Sequence, residues 1–368
     1  MRILIVSYDY APKVGGHVNN AVLLAREFGR LHDVSVVTDS SLPASKGVHP
    51  LMSPTPSLPF HTGSLIGLVN ARRVVENLGR DFDAVLSVDC NASMFTAAWY
   101  SILTRVPYAC MLNGLDFYSW ANPRSINPGK MLLKRLVARA SLLIANSRYT
   151  RDTALRCGLA GRMEVVNPPV DVDRFKALPD VSSERSRLSG SVLLSVGRLV
   201  GRKGFRQVLE ALSTIDREYT YYIVGDGPER DSLMEHASAL GISGRVVFAG
   251  QVSDNGLLKY YPLCDFLILT PCELPDSGDY EGFGIVYVEA NACGRPVVAS
   301  RTGGIPDAVS DGVSGILLRE NSVEGIREAI LEMMGGRDFP EQGLLEWADR
   351  FKPDVVAGQH LKLLESII

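Results

Sequence analysis

The feature that most constrains this chain is an apolar run followed by a stretch at helical spacing, repeated from one end to the other. Ile3-Leu4-Ile5-Val6 is near-continuously apolar, the pattern of a strand buried on both faces. Val18, Ala21, Val22, Ala25 and Phe28 then recur at helical spacing, and Gly29 follows near the helix end. Residues 34–38 read as the next strand, and the Ser-, Pro- and Gly-rich stretch 40–63 mostly as loop. The alternation resumes with a helix over 64–78, a strand over 84–88 and a helix over 92–103. A strand over 108–112, a helix near 130–140 and a strand over 142–145 follow. Repetition of this kind calls for a parallel sheet with helices on both faces.

Two prolines interrupt the pattern at Asn167-Pro168-Pro169-Val170-Asp171, and the polar stretch 180–191 reads as a linker. The alternation then restarts. Strands are expected over 192–196, 221–224, 246–249, 266–269 and 297–299, with a first helix marked by Phe205, Val208, Leu209 and Leu212. A last helical stretch runs over 344–368. The 368 residues suit two domains at ~100–200 residues each. We place them at 1–172 and 173–345, with 346–368 as a C-terminal helix packing back on the first. Two α/β domains in tandem place a ligand at the carboxyl ends of the strands, in the cleft between them.

Composition narrows the function. With 46% hydrophobic and 21% charged residues the chain is neither disordered nor fibrous. A net charge of −3 and a pI near 6.1 argue against nucleic acid as an obligate partner, which needs a basic face. The six cysteines have no C-x-x-C spacing, and the six histidines no metal-ligand spacing. No apolar run reaches the ~18–20 residues of a membrane span, and the start is too short for a signal segment. A cytoplasmic protein, neither transporter nor collagen nor secreted toxin, is the expectation.

Three motifs carry chemistry. Glu281-Gly282-Phe283-Gly284-Ile285-Val286-Tyr287-Val288-Glu289 links a strand to a helix, with two carboxylates bracketing a glycine-rich turn. Its glycines permit close backbone approach, and the free N–H groups at the helix start face an anion. The plain alternative is a surface Glu beside a helix-start turn. Gly197-Arg198-Leu199-Val200-Gly201-Arg202-Lys203-Gly204 follows a strand directly. The planar fork of Arg198 and the point charge of Lys203 suit a diphosphate, although basic turns at strand ends are common. Gly15-Gly16 lies between the first strand and its helix, without the G-x-G-x-x-G of a dinucleotide site.

Taken together these pieces resemble the retaining GT-B glycosyltransferases of the family-4 type, and the resemblance covers most of the chain. It includes Asn-Pro-Pro-Val-Asp at 167–171, Val224-Gly225-Asp226-Gly227-Pro228, Gly294-Arg295-Pro296-Val297-Val298-Ala299-Ser300 and Gly303-Gly304-Ile305-Pro306. The loop Cys272 to Tyr280 looks like that of the phosphatidylinositol mannoside mannosyltransferases. The implied fold is two Rossmann-like, doubly wound α/β domains facing across a cleft. The implied substrate is a UDP- or GDP-linked hexose, passed with retention and without metal to a glycolipid, glycan or small-molecule acceptor on the first domain.

The resemblance also implies roles. Arg198 and Lys203 neutralise the donor diphosphate, and Glu289 holds the ribose hydroxyls. Glu281, with the amides of Gly282, Phe283, Gly284 and Ile285, holds the donor sugar. The Gly16 amide reaches a phosphate oxygen, and backbone near Val252 contacts the base. The family's His-Gly pair is replaced by Asn113-Gly114, so Asn113 is the expected sugar contact, unable to carry charge. Asp116 reads equally as a loop cap or an acceptor contact.

Two Asp-x-Asp strings, Asp81-Phe82-Asp83 and Asp171-Val172-Asp173, read as caps or turns rather than metal sites. From Arg124 to Arg156 the chain holds eight basic residues and one acid, Asp152. That 124–156 segment suits contact with an anionic membrane face, or is a solvated helix surface. Two other readings stay open: a GT-B-like sugar-nucleotide epimerase, and a non-catalytic sugar-nucleotide or carbohydrate-binding subunit.

Overall fold

The apolar runs become strands, and all the strand pairs within the two sheets are parallel. The computed structural model describes residues 1–13, 16–53, 60–121, 130–175, 178–273 and 279–368. The chain divides into two units, Met1–Pro169 with Pro353–Ile368, and Val170–Lys352.

In unit 1 the strands are β1 (Arg2–Val6), β2 (Asp33–Asp39), β3 (Val48–Met52), β4 (Ala84–Ser87), β5 (Tyr108–Leu112), β6 (Leu142–Ala145) and β7 (Met163–Val165). Their order is β3-β2-β1-β4-β5-β6-β7, so the winding reverses between β1 and β4. Strands β5 and β6 are buried throughout, as a sheet covered on both faces requires. The helix Pro353–Glu365 lies on the helix Gly16–Phe28, where Val356, Leu361 and Leu364 share a core with Leu24 and Phe28.

Unit 2 holds β8 (Ser191–Val196), β9 (Tyr219–Val224), β10 (Val246–Gly250), β11 (Phe266–Leu269), β12 (Val297–Ala299) and β13 (Gly315–Leu317). The order is β10-β9-β8-β11-β12-β13, with the reversal between β8 and β11. Ligands of doubly wound sheets bind outside the carboxyl ends of the strands at such a switch point.

Several expectations are corrected. The stretch 180–191 is no linker: the Arg185 guanidinium donates to both carboxylate oxygens of Asp265 at 3.1–3.2 Å, tying it into unit 2. The crossings fall at 169/170 and 352/353, rather than at 172/173 and 345/346. The stretch 344–368 is not one helix. Glu341–Asp349 belongs to unit 2, and Pro353, without an N–H to continue a ladder, opens a separate helix in unit 1.

Candidate functional site

The site in unit 2 is built where β8 and β11 end. Past β8 the chain makes a 3₁₀ turn over Gly201–Lys203 and enters the helix Phe205–Ser213 through Gly204. Gly204 has φ +77°, and a Cβ there would lie 2.1 Å from the carbonyl oxygen of Thr270, the first residue past β11. Only glycine lets the two strand exits approach this closely.

That approach assembles a charge cluster. Lys203 Nζ lies 2.5 Å from Glu281 Oε2, and the Arg202 guanidinium donates to the same oxygen at 3.1 Å. Arg202 also pairs with Asp279 at 2.9 Å. All three cluster side chains are largely buried, Lys203 to 13% exposure. Burial of Glu281 pushes its carboxyl up, but the charges of Lys203 and Arg202 outweigh this and hold it below the ordinary value. Lys203 also folds back over the exit of β8: a Cβ on Gly197 would stand 4.0 Å from its Nζ. Arg198, next along, is exposed and carries no ion pair among the described residues.

Glu281 opens the expected glycine-rich turn. Its carbonyl accepts the N–H of Gly304 at 2.8 Å, which pins the Gly303-Gly304 loop against it. The helix Ile285–Ala292 starts at Gly284, and the N–H groups of Gly284, Ile285 and Val286 have no acceptor among the described residues. Beneath them Phe283 is buried against the Phe351 ring at 5.3 Å, and the Tyr287 hydroxyl donates to Leu269 O at 2.9 Å. The turn therefore stands on a rigid floor with open N–H groups above two nearby cations.

Glu289 lies further along the same helix. Burial raises its pKa, and the buried Tyr261 hydroxyl donates to Oε2 at 2.5 Å, leaving Oε1 without a partner among the described residues. Arg174 and Asp254, 3.7 Å apart, also act on this carboxylate. Asp254 opens a short helix two residues after Val252, so the structure brings the Val252 and Glu289 regions together. The sequence reading missed Arg202, whose only signal was a second cation beside Lys203. It also missed Tyr261, which stands 28 positions from its carboxylate partner.

Gly16 and Asn113 belong to unit 1. The helix Gly16–Phe28 begins at Gly16, while Gly15 lies outside the described residues, as do Arg124 and residues 274–278 of the loop before Glu281. Asn113 follows β5 directly, and its Nδ2 donates to Val88 O at 2.9 Å. Asp116 is a cap: its carboxylate accepts the N–H groups of Cys90, Asn113 and Phe117 at 2.9–3.2 Å. Asp83 accepts the Arg2 N–H at the amino end of β1, far in the sheet from the strand ends that bind ligands. Asp171 offers its carbonyl to the Arg174 N–H. Among the described residues no group of three His, Cys, Asp or Glu side chains is placed to hold a metal ion.

The family "Glycosyl transferases group 1" matches residues 181–342, and "Glycosyltransferase Family 4" matches residues 14–174. A GDP-mannose-dependent alpha-(1-6)-phosphatidylinositol monomannoside mannosyltransferase of Mycolicibacterium smegmatis is 36% identical over 211 residues, 55% of each chain. The match thus spans about half the length of that curated relative. An uncharacterised glycosyltransferase of Methanocaldococcus jannaschii is 26% identical over 92% of this chain and 90% of its own. The crystal structure of Anabaena HepE in complex with UDP is similar over the full length of both chains, at a TM-score of 0.77 and 25% identity. The fold and the paired matches define a GT-B architecture. Each half of the chain thus matches a glycosyltransferase family model, Glycosyltransferase Family 4 in the first and glycosyl transferases group 1 in the second.

Proposed function

We propose that this protein transfers a hexose from a UDP- or GDP-sugar to a hydroxyl of a glycolipid, glycan or small-molecule acceptor, with retention and without a metal. One observation carries the reading: two cations, Lys203 and Arg202, converge on Glu281 beside an open helix N-terminus at the carboxyl end of β8. Breaking the anomeric C–O bond leaves an oxocarbenium-like sugar and a diphosphate with added negative charge. Arg198, Lys203 and the N–H groups of 284–286 are the donors for that charge. Glu281, kept ionised, orients Lys203 and faces the sugar. The acceptor hydroxyl attacks from the leaving-group face and gives its proton to the departing phosphate, so no further base is needed. Glu289 takes the ribose, backbone near Val252 the base, and Gly16 and Asn113 contact phosphate and sugar.

The relatives' names make GDP-mannose and UDP-glucose the donors to try first. The test is thermal stabilisation by GDP, UDP, ADP and TDP with chelator present, followed by transfer assays with the matching sugar nucleotides. A nucleotide at 100 times its Kd is expected to add ~2.7 kcal/mol to the folded state. Lys203→Ala is expected to remove that stabilisation and to lower turnover by ~10²–10³ or more, since it removes a donor to the developing charge. A strict requirement for magnesium or manganese would overturn the metal-free step. Epimerised product without acceptor consumption would favour an epimerase, and nucleotide binding without any turnover a binding subunit.

Contact with an anionic membrane face is part of the proposal. The helix Lys130–Val137 buries Leu133, Leu136 and Val137 but exposes Met131 (67%) and Leu132 (43%) beside Arg135. Each Lys or Arg at such a surface contributes ~1 kcal/mol. Among the described residues no helix is long and apolar enough to cross a membrane. Flotation with phosphatidylglycerol vesicles but not with phosphatidylcholine vesicles is expected, and loss of flotation in Arg135→Glu checks the surface.

A further inference from the structure

Three asparagines run along the carboxyl edge of the sheet in unit 1, just past β5, β6 and β7. Each side-chain nitrogen donates to a main-chain carbonyl one strand back: Asn113 Nδ2 to Val88 O at 2.9 Å, Asn146 Nδ2 to Asn113 O at 3.2 Å, and Asn167 Nδ2 to Asn146 O at 3.0 Å. Every acceptor is a carbonyl, so only the NH₂ end of each amide can face it. The row is directional, and none of its amides can flip without losing a bond.

Asn113 is held at each polar atom but one. Its N–H donates to the Asp116 carboxylate at 3.1 and 3.2 Å, its carbonyl accepts from Asn146, and its Nδ2 is committed to Val88. Oδ1 alone has no partner among the described residues, and Asn113 is partly exposed. Asn146 is different: it is 7% exposed, and its own Oδ1 is buried without a hydrogen bond. An unmet buried acceptor is unfavourable. The orientation of Asn146 is therefore set by its bond to Asn113 and not by its own satisfaction.

We propose that Asn146 is a positioning residue: by holding the main-chain carbonyl of Asn113 it sets where that side chain hangs, while the Nδ2 bond to Val88 O turns Oδ1 outward, and the pair so selects a sugar carrying a free hydroxyl donor at that point. An unrestrained asparagine can turn its amide and offer N–H to an ether, a fluorine or a carbonyl; this one cannot. The inference rests on the sugar-transfer reading above and on Asn113 meeting the sugar.

The probes are GDP-mannose and UDP-glucose, then monodeoxy and deoxyfluoro analogues of whichever is turned over. Asn146→Ala is expected to lower kcat/KM for the parent donor roughly tenfold to a hundredfold, as misplacement of a contact does. Affinity for the free nucleoside diphosphate is expected to stay unchanged. The preference for the parent over one monodeoxy analogue is expected to collapse alongside. Asn113→Ala does the same, and the double variant loses no more than the worse single one, because the Oδ1 contact that Asn146 positions is already gone. Should Asn146→Ala not fold, Asn146→Asp carries the same expectations, being isosteric and lacking the N–H donor. Additive losses, or an intact preference against every deoxy analogue, overturn the inference while leaving sugar transfer standing. A wild-type chain that neither binds nor turns over any sugar nucleotide overturns both.

Discussion

A single oxygen, Glu281 Oε2, receives two cations, and the residue that makes this geometry possible bears no charge at all. Gly204 lets β8 and β11 end side by side, and its Cβ position is filled by Thr270 O. Gly204→Ala is expected to cost ~1–3 kcal/mol from its positive φ alone. The 2.1 Å clash adds to that, read as a lower midpoint in urea. Gly241→Ala, at φ +72° with open space around it, is the control and is expected to lose only the backbone part. Lys203 and Glu281 of this cluster were legible in the sequence, because they lie in short runs where glycine and charge coincide. What escaped was set by pairing across distant positions. Nothing local marks Tyr261 as the donor to Glu289.

Two groups in unit 1, one wholly and one partly buried, respond to acid in opposite directions. His360, on the helix Pro353–Glu365, is wholly buried with Nδ1–H donating to Val356 O, and burial pushes its pKa down to about 4. The unfolded chain binds that proton more readily, so stability is lost as pH falls from about 6.5 towards 4, by about 3 kcal/mol. Asp89, at the head of the helix Ala92–Thr104, is pushed up to about 6 by burial, with the Asp116 charge adding to the rise. Here the folded chain binds the proton more readily, so stability is lost as pH rises from about 4 to 6, by a similar amount. The two slopes offset in the wild type. Melting Asp89→Asn between pH 6.5 and 4 is expected to uncover the acid sensitivity of His360, and His360→Leu the reverse trend. At this scale the central strands were readable because they are apolar throughout. Strand β3 was not, since Val48-His49-Pro50-Leu51-Met52 is an edge with only Met52 fully buried and a proline that edges tolerate. The helix Arg148–Arg156 buries only Thr150, Thr153 and Ala154, too little apolar periodicity to detect.

The whole molecule is two sheets on one chain, and the donor cluster lies within the second. Calorimetry is expected to resolve two transitions, with GDP or UDP raising the one that belongs to residues 170–352. A nucleotide that raised both equally would mean that the units unfold as one. The two-domain plan was legible from the repeated alternation, but the crossings were not, because charge at 180–191 imitates a linker while Arg185 binds Asp265. At the boundary the N–H of Val170 donates to Phe351 O at 2.8 Å, so the entry and exit of unit 2 are fastened together. Unit 2 is thus an insertion, and the order of manufacture differs from the order of completion. A ribosome adding ~5–20 residues per second spends roughly 10–40 s on residues 170–352. Throughout that time Leu24 and Phe28 lack the helix that covers them. The half of the protein made first is finished last, and until then the apolar side of its first helix stays open to water.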